Sequence, residues 1–351
     1  MPEIRPGRVA LLGSGETSPS GGRVFEAVVN HLTGPPRVAV LETPAGFELN
    51  SAQVAGRVAD FLRQRLQNYQ PEIVVVPARK RHTAFSPDDP ALTRLMLDAN
   101  LIFAGPGSPT YAVRQLRESR AWHTLTARHR LGATLVFASA ATTAVGAFVL
   151  PVYEIYKAGE EPHWRPGLDF FGAYGLSLVL VPHWNNAEGG AELDTSRCFM
   201  GEARFAELMA LLPEHITVVG IDEHSALVID FETAQAEVMG RGGVTWLHAE
   251  RERHFDSGRS FPLAALGPFR PCEPAAGLPA EVWEEVWSAQ VRPPSVPPSV
   301  PDDVMALVEE RQAARARRDW AAADALRERI AATGWSVQDT PEGPRLEPAK
   351  S

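Results

Sequence analysis

The chain has 351 residues, 44% hydrophobic and 22% charged, with a formal net charge of −9. This ordinary globular profile holds no apolar run of membrane-spanning length, and the acidic balance argues against a broad nucleic-acid surface. Two cysteines, Cys198 and Cys272, make no disulfide framework, and MPEIRPGRVALLGSGE enters a strand-like run without a cleavage pattern, so a reducing cytoplasm is expected.

Arg8 to Leu12 reads as a first strand, followed by Gly13-Ser14-Gly15-Glu16. A dinucleotide fingerprint would need a third glycine where Ser18 stands, so this is a tight strand-to-loop turn and no nicotinamide cofactor is expected. A helix is predicted over Gly22 to Leu32, a strand over Arg37 to Leu41, and an amphipathic helix over Ser51 to Leu66, with Val54, Val58, Phe61 and Leu62 on one face. Strand Glu72 to Val76, helix Asp88 to Asp98 and strand Leu101 to Ala104 follow. Gly105-Pro106-Gly107-Ser108-Pro109-Thr110 then ends a strand just before a helix. Such a loop is either a plain turn or a source of free N–H groups for an anion or oxyanion.

The stretch from Ala133 to Lys157 is ATLVFASAATTAVGAFVLPVYEIYK. Ala133 to Phe137 is an unbroken buried-strand pattern. Small residues Ala138, Ser139, Ala140 and Ala141 lead into a helix-like run to Val149. Strand, sharp turn and helix with one hydroxyl at the turn is the layout of a nucleophile elbow, although Phe137 and Ala141 replace its glycines. Ser139 is either that nucleophile or the cap of the helix. Glu154 follows in an apolar and aromatic setting.

Leu178 to Val181 is a strand ending at Pro182-His183, where a base would be presented. No second histidine stands at metal-ligand spacing and HExxH is absent, so no metal site is expected. Ala203 to Leu212 is helical. Strands Thr217 to Ile221 and Ser225 to Ile229 flank Asp222-Glu223-His224. Ala236 to Met239 and Val244 to Leu247 look like an antiparallel pair turning at Gly240 to Gly243. The alternation of strands and helices predicts an α/β fold: a doubly wound, mostly parallel sheet with helices on both faces and a site at the carboxyl ends of its strands.

Prolines recur from Gly267 to Pro301, with a short helix at Glu281 to Ala289. The expected division is a domain at 1–267, a Pro-rich linker at 268–300 and a helical hairpin at 301–351. Asp302 and Asp319 are expected N-caps there. Trp320, Ala323, Leu326 and Ile330 give the second helix an apolar face, and Trp335 to Leu346 adds a β-hairpin around Pro341-Glu342-Gly343. This segment carries 8 Lys/Arg against 10 Asp/Glu.

Taken together, the Gly-rich end of the first strand, Gly105-Pro106-Gly107-Ser108, Ser139-Ala140-Ala141, His183 and Gly220-Ile221-Asp222-Glu223-His224-Ser225-Ala226 resemble the cyanophycinase and aspartyl dipeptidase family over residues 8 to 250. Those are serine peptidases on a class I glutamine amidotransferase-like fold. The resemblance implies that Ser139 is the nucleophile, His183 its base, and Gly107 and Ala140 the oxyanion donors. The family's aspartyl preference uses an arginine-rich run after the histidine, of which Arg197 and Arg204 remain. Ser108, Arg204 and Glu223 are the candidate substrate contacts.

Two acids compete to orient His183. Glu154 is shielded by Tyr153, Ile155 and Tyr156, and in the aspartyl dipeptidase the orienting acid comes from the stretch after the elbow helix. Asp222 and Glu223 are adjacent, and burying both is costly unless each finds a partner. The expected triad is therefore Ser139, His183 and Glu154. Val304 to Pro344, with Asp319-Trp320, Ala323-Asp324 and Asp339-Thr340-Pro341-Glu342-Gly343, resembles the C-terminal tail of cysteinyl-tRNA synthetase. The expected function is a serine peptidase acting on short or unusual, aspartyl-type peptides, with no metal or organic cofactor. The alternatives are a non-catalytic binding module whose tail contacts tRNA or a synthetase, and an amidase of the amidotransferase type. Any tRNA contact is expected to be weak, no membrane partner is expected, and self-association stays open.

Overall fold

A computed structural model describes residues 5–249, 251–291, 301–340 and 343–348. The chain divides into two units, residues 1–291 and 292–351.

The first unit is α/β. Its strands are β1 (Val9–Leu12), β2 (Arg37–Leu41), β3 (Glu72–Val76), β4 (Leu101–Ala104), β5 (Thr134–Ala138), β6 (Phe148–Val149), β7 (Arg165–Pro166), β8 (Leu178–Val181), β9 (Thr217–Ile221), β10 (Ser225–Asp230), β11 (Gln235–Gly240), β12 (Gly243–His248), β13 (Arg251–Asp256) and β14 (Ser260–Pro262). The helices are α1 (Pro19–Val29), α2 (Ser51–Arg65), α3 (Pro90–Thr93), α4 (Pro109–Leu116), α5 (Arg120–Arg130), α6 (Ala140–Ala144), α7 (Val152–Tyr156), α8 (Ser196–Phe199), α9 (Gly201–Ala210) and α10 (Ala280–Val291).

Eight strands form one sheet in the order β14-β11-β10-β1-β5-β4-β2-β3, and a second sheet runs β13-β12-β9-β8-β6-β7. β1, β5, β4, β2 and β3 are mutually parallel, and β10 joins β1 antiparallel. The central strands read as unbroken apolar runs because both faces are covered. In β1, Val9 and Leu11 enter one core while Ala10 and Leu12 enter the other. α1 and α2 close the second face through Val24, Phe25, Val58 and Leu62. The first face packs against α5 through Leu125 and against the second sheet through Leu180, Val219 and Val244.

Several expectations are corrected. β11 and β12 do not pair: β11 joins β10 and β14 in one sheet, while β12 joins β9 and β13 in the other. Between them Gly240 adopts φ +120°, where an added Cβ would lie 2.3 Å from the His224 carbonyl oxygen, so the chain crosses between sheets there instead of forming a hairpin. The elbow helix α6 stops at Ala144, because Phe148 pairs with Val179 and Pro166 in the second sheet. The helix expected at 88–98 is α3 followed by a 3-10 turn at Arg94–Met96.

The boundary expected at residue 267 also moves. Val282 and Val286 of α10 are buried against Leu97, Ala127 and Leu131, so residues 268–291 belong to the first unit. The remainder of the expected linker, 292–300, lies outside the described residues.

The second unit pairs α11 (Asp302–Ala316) with α12 (Trp320–Ala332), followed by β15 (Trp335–Thr340) and β16 (Gly343–Pro348). Val304, Val308, Ile330, Trp335 and Val337 make its core. Asp319 caps α12 by accepting from the Ala322 N–H, whereas Pro301 stands at the cap position of α11. Trp320 is 56% exposed under the Arg315 guanidinium and is not on the buried face. Pro341 and Glu342 lie outside the described residues.

Val286 is fully buried. Val286→Ala is expected to cost about 2 kcal/mol, the transfer of two methylene-sized groups plus a cavity term. Denaturant unfolding of the full chain measures it, and a loss near zero would detach α10 from the core.

Candidate active site

β5 delivers Ser139 to the carboxyl end of the sheet. Ser139 adopts φ 50° and ψ −112°, a sparsely populated conformation for a residue with a side chain. Its N–H donates to the Leu12 carbonyl (3.2 Å), and Thr142 Oγ1 donates to the same oxygen (3.0 Å). Ala138, Ala140 and Ala141 are buried around the turn. The small neighbours and the positive φ are the physical content of an elbow, achieved here without its glycines. The other expectation, a plain helix cap, is not met: the Ser139 side chain makes no cap hydrogen bond to α6.

His183 stands just beyond β8, also at positive φ (52°). Its N–H reaches the Gly13 carbonyl, and its own carbonyl accepts from the Asn186 and Cys198 N–H groups. His183 Nε2 lies 2.9 Å from Ser139 Oγ, and Nδ1 lies 2.9 Å from Glu223 Oε1. A carboxylate only accepts, so Nδ1 carries the ring proton and Nε2 is left to accept from the serine hydroxyl.

Glu223, at the β9–β10 turn, is the acid on His183. Asn186 Nδ2 donates to the same Oε1 (3.0 Å), and Asn185 Oδ1 accepts from the Glu223 N–H (2.8 Å). The hydrogen bond from His183 holds the Glu223 carboxyl below its ordinary range, against burial, which acts the other way, and the Asn186 hydrogen bond adds to the lowering. Asp222 is the more buried of the two, and its Oδ2 accepts from the Gly243 N–H of β12 (2.8 Å). Each of the two adjacent carboxylates has found a partner, which removes the cost that favoured Glu154.

Glu154 is therefore corrected. Its Oε1 accepts from Thr110 Oγ1 (2.6 Å) and lies 3.5 Å from Arg165 Nη1, so it ties α7 to the start of α4. Its neighbours Tyr153, Tyr156 and Lys157 do line the cavity beside Ser139, a space of about 250 Å³ shared with Gly107, Ala140, His183, Glu188 and Cys198. The N–H groups of Gly107 and Ala140 make no hydrogen bond among the described residues. Gly107 has φ +146°, and an added Cβ would lie 1.9 Å from the Pro44 carbonyl oxygen, so only glycine fits this wall.

Ser108 caps α4 by accepting from the Tyr111 N–H and does not line the cavity. Arg204 opens on a different cavity, with Glu160, Asp194 and Glu207. Glu223 sits behind His183, away from the substrate space. Cys198 does line the cavity, although it is far from the elbow in sequence. Burial pushes its thiol up to about 12, with the charge of Glu223 adding, so it is not a thiolate at neutral pH. Asn185, Asn186 and Ser14, whose Oγ accepts from the His224 N–H, carry support roles that no motif announced.

A crystal structure of a peptidase from an acI-B1 Actinobacterium superposes with a TM-score of 0.60 at 22% identity, covering 74% of this chain and 98% of that one. The core has the fold of that peptidase. Residues 297–343 match the cysteinyl-tRNA ligase anticodon binding domain family. The same region is 58% identical over 45 residues to cysteine–tRNA ligase 1 of Burkholderia lata, and 56% identical over 48 residues to the enzyme of Opitutus terrae. These matches take in 13% and 14% of this chain and 10% of each ligase, so the chain spans about a tenth of the length of the curated relatives it matches.

The geometry predicts that Glu223→Gln slows Ser139 chemistry by about a thousandfold or more, as loss of an orienting carboxylate does elsewhere, while Glu154→Gln changes it little. The pH dependence has a sign. Glu223 titrates below its ordinary value, so the His183 contact is present above that value and lost as pH falls through the lowered one. Asn186→Asp replaces a donor with a like charge and raises that titration, so the His183 contact is lost at a higher pH. Equal losses in the two glutamine variants would contradict the assignment.

Proposed function

We propose that the first unit is a serine-type hydrolase that cleaves short peptides. The observation carrying this reading is the pair of 2.9 Å contacts that join Ser139, His183 and Glu223 at a strained strand-to-helix turn. Both distances lie within the range of about 2.6–3.2 Å that proton transfer needs. Ser139 Oγ attacks the amide carbonyl as His183 Nε2 takes its proton. Glu223 holds the ring in the reactive tautomer and stabilises the imidazolium. The Gly107 and Ala140 N–H groups receive the oxyanion. His183 then returns the proton to the leaving amine, and water resolves the acyl group by the reverse route.

What supports a short substrate is the size of the cavity, below the range of about 300–1,000 Å³ typical of drug-sized sites. What supports an acidic, aspartyl-type side chain is Lys157 in the cavity wall, with its Nζ 4.7 Å from the Tyr156 ring centre. A substrate carboxylate would pair with that ammonium, and Glu188 offers a partner for a free α-ammonium. A panel of dipeptides, including Asp-X, β-aspartyl and neutral ones, tests this with the full chain. Turnover of the aspartyl members is expected, abolished by Ser139→Ala and shifted toward neutral members by Lys157→Gln. Failure to cleave any member would remove the peptidase reading. A preference untouched by Lys157→Gln would remove only the acidic specificity.

The tail supports a second role, contact with tRNA, on the strength of its match to an anticodon-binding family. Its 8 basic residues are offset by 10 acidic ones, so binding is weak and falls with salt. A gel shift of the full chain with tRNA should show complex at low salt and little at physiological salt. Tight binding at physiological salt would contradict the weak-contact estimate.

A further inference from the structure

Within α8, Arg197, Cys198 and Phe199 are three consecutive non-glycine residues at positive φ (55°, 58° and 68°). Arg197 and Cys198 have ψ 49° and 52°, so both are left-handed. Each such residue carries a steric cost, and a run of three persists only where its surroundings hold it. Here the hold is on the two residues that carry the base. The Arg197 N–H donates to the Trp184 carbonyl (2.8 Å) and the Cys198 N–H to the His183 carbonyl (3.1 Å). The Arg197 guanidinium lies 4.1 Å above the Trp184 ring, and the Phe199 N–H donates to the Thr195 carbonyl (2.9 Å).

This strained strap places an aromatic ring in the wall of the cavity at Ser139. Phe199 is half-buried and lines that space. Its ring centre lies 6.0 Å from that of His183 and 5.3 Å from that of Tyr156, which lines the same space from α7. Both distances are those of touching rings. One ring is fixed by the strap and the other by a helix, so the wall beside the base is stiff.

The position of that wall bears on one half of the substrate. His183 Nε2 returns its proton to the leaving amine, so the amine must come within hydrogen-bond reach of the imidazole. The residue that carries the amine is then bounded by what surrounds the imidazole, and Phe199 is part of it. We infer that Phe199 is a specificity-determining residue that restricts the amine side of the scissile bond to small residues such as glycine. This inference rests on the hydrolase reading and adds the class of the leaving residue to it.

The test compares dipeptides that share their first residue and differ in the second, glycine against leucine, with the full chain. The ratio of their kcat/KM values cancels effects on the first residue, on the triad and on the folded fraction. The unmodified chain should favour glycine by about tenfold or more. Phe199→Ala should shift the ratio toward leucine by about tenfold or more, the worth of a methylene-sized misfit in a pocket. Phe199→Leu keeps an apolar side chain against the core and should shift the ratio the same way by less, which decides the matter even where the alanine variant does not fold. A ratio unmoved in these variants, or a preference of the unmodified chain for leucine, overturns the assignment of Phe199 and leaves the hydrolase reading standing. Failure to cleave either dipeptide, whatever the first residue, overturns both.

Discussion

The site depends on one backbone constraint, the positive φ of Ser139 at the end of β5. A non-glycine residue adopts that conformation only where its surroundings over-determine it. Here the surroundings are the neighbouring strand β1, whose last carbonyl, on Leu12, accepts from both the Ser139 N–H and Thr142 Oγ1. The parallel register of Leu12 with Ala138 sets that carbonyl in place. Strain at Ser139 is therefore stabilised by the sheet that the most buried part of the chain builds. The same turn aims Oγ at His183 and leaves the Ala140 N–H without an acceptor among the described residues.

The second sheet supplies the rest of the constellation. His183 follows β8 and Glu223 follows β9, and these two strands are parallel neighbours. The histidine and its acid therefore emerge side by side from one edge of one sheet, 40 residues apart in sequence. The two asparagines after His183 then fix the Glu223 turn, one through the carboxylate and one through the main chain. Ser139 comes from the other sheet, so the site lies where the two sheets meet. Shielding, together with the resemblance to the aspartyl dipeptidase, favoured Glu154. Adjacency of strands proved decisive, since it brings donors to both Asp222 and Glu223.

Much of the architecture was legible in the residues. β2, β3, β4, β8 and β9 have the bounds that their apolar runs suggested, and in β4, β8 and β9 every residue is buried because both faces are covered. Ser139, His183 and Gly107 were legible as residues at strand ends, where such sheets place their sites. The division into two sheets was not. β11 and β12 each have a sound strand pattern, and only the long-range partner of each decides whether they form a hairpin. α10 was legible as a short helix at Glu281 to Ala289, but the prolines around it read as a linker and hid its packing on the core through Val282 and Val286. The pairing of His183 with Glu223 needs the β8–β9 neighbourhood, which no local spacing encodes.

The central claim is that Ser139 is an activated nucleophile. Its most direct measurement is covalent labelling of the full chain with a fluorophosphonate, read by intact mass and peptide mapping. The account predicts a single adduct on Ser139 that is absent in Ser139→Ala, with Cys198 unmodified because its thiol stays protonated. An unlabelled chain, or an adduct on another residue that persists in Ser139→Ala, would contradict it.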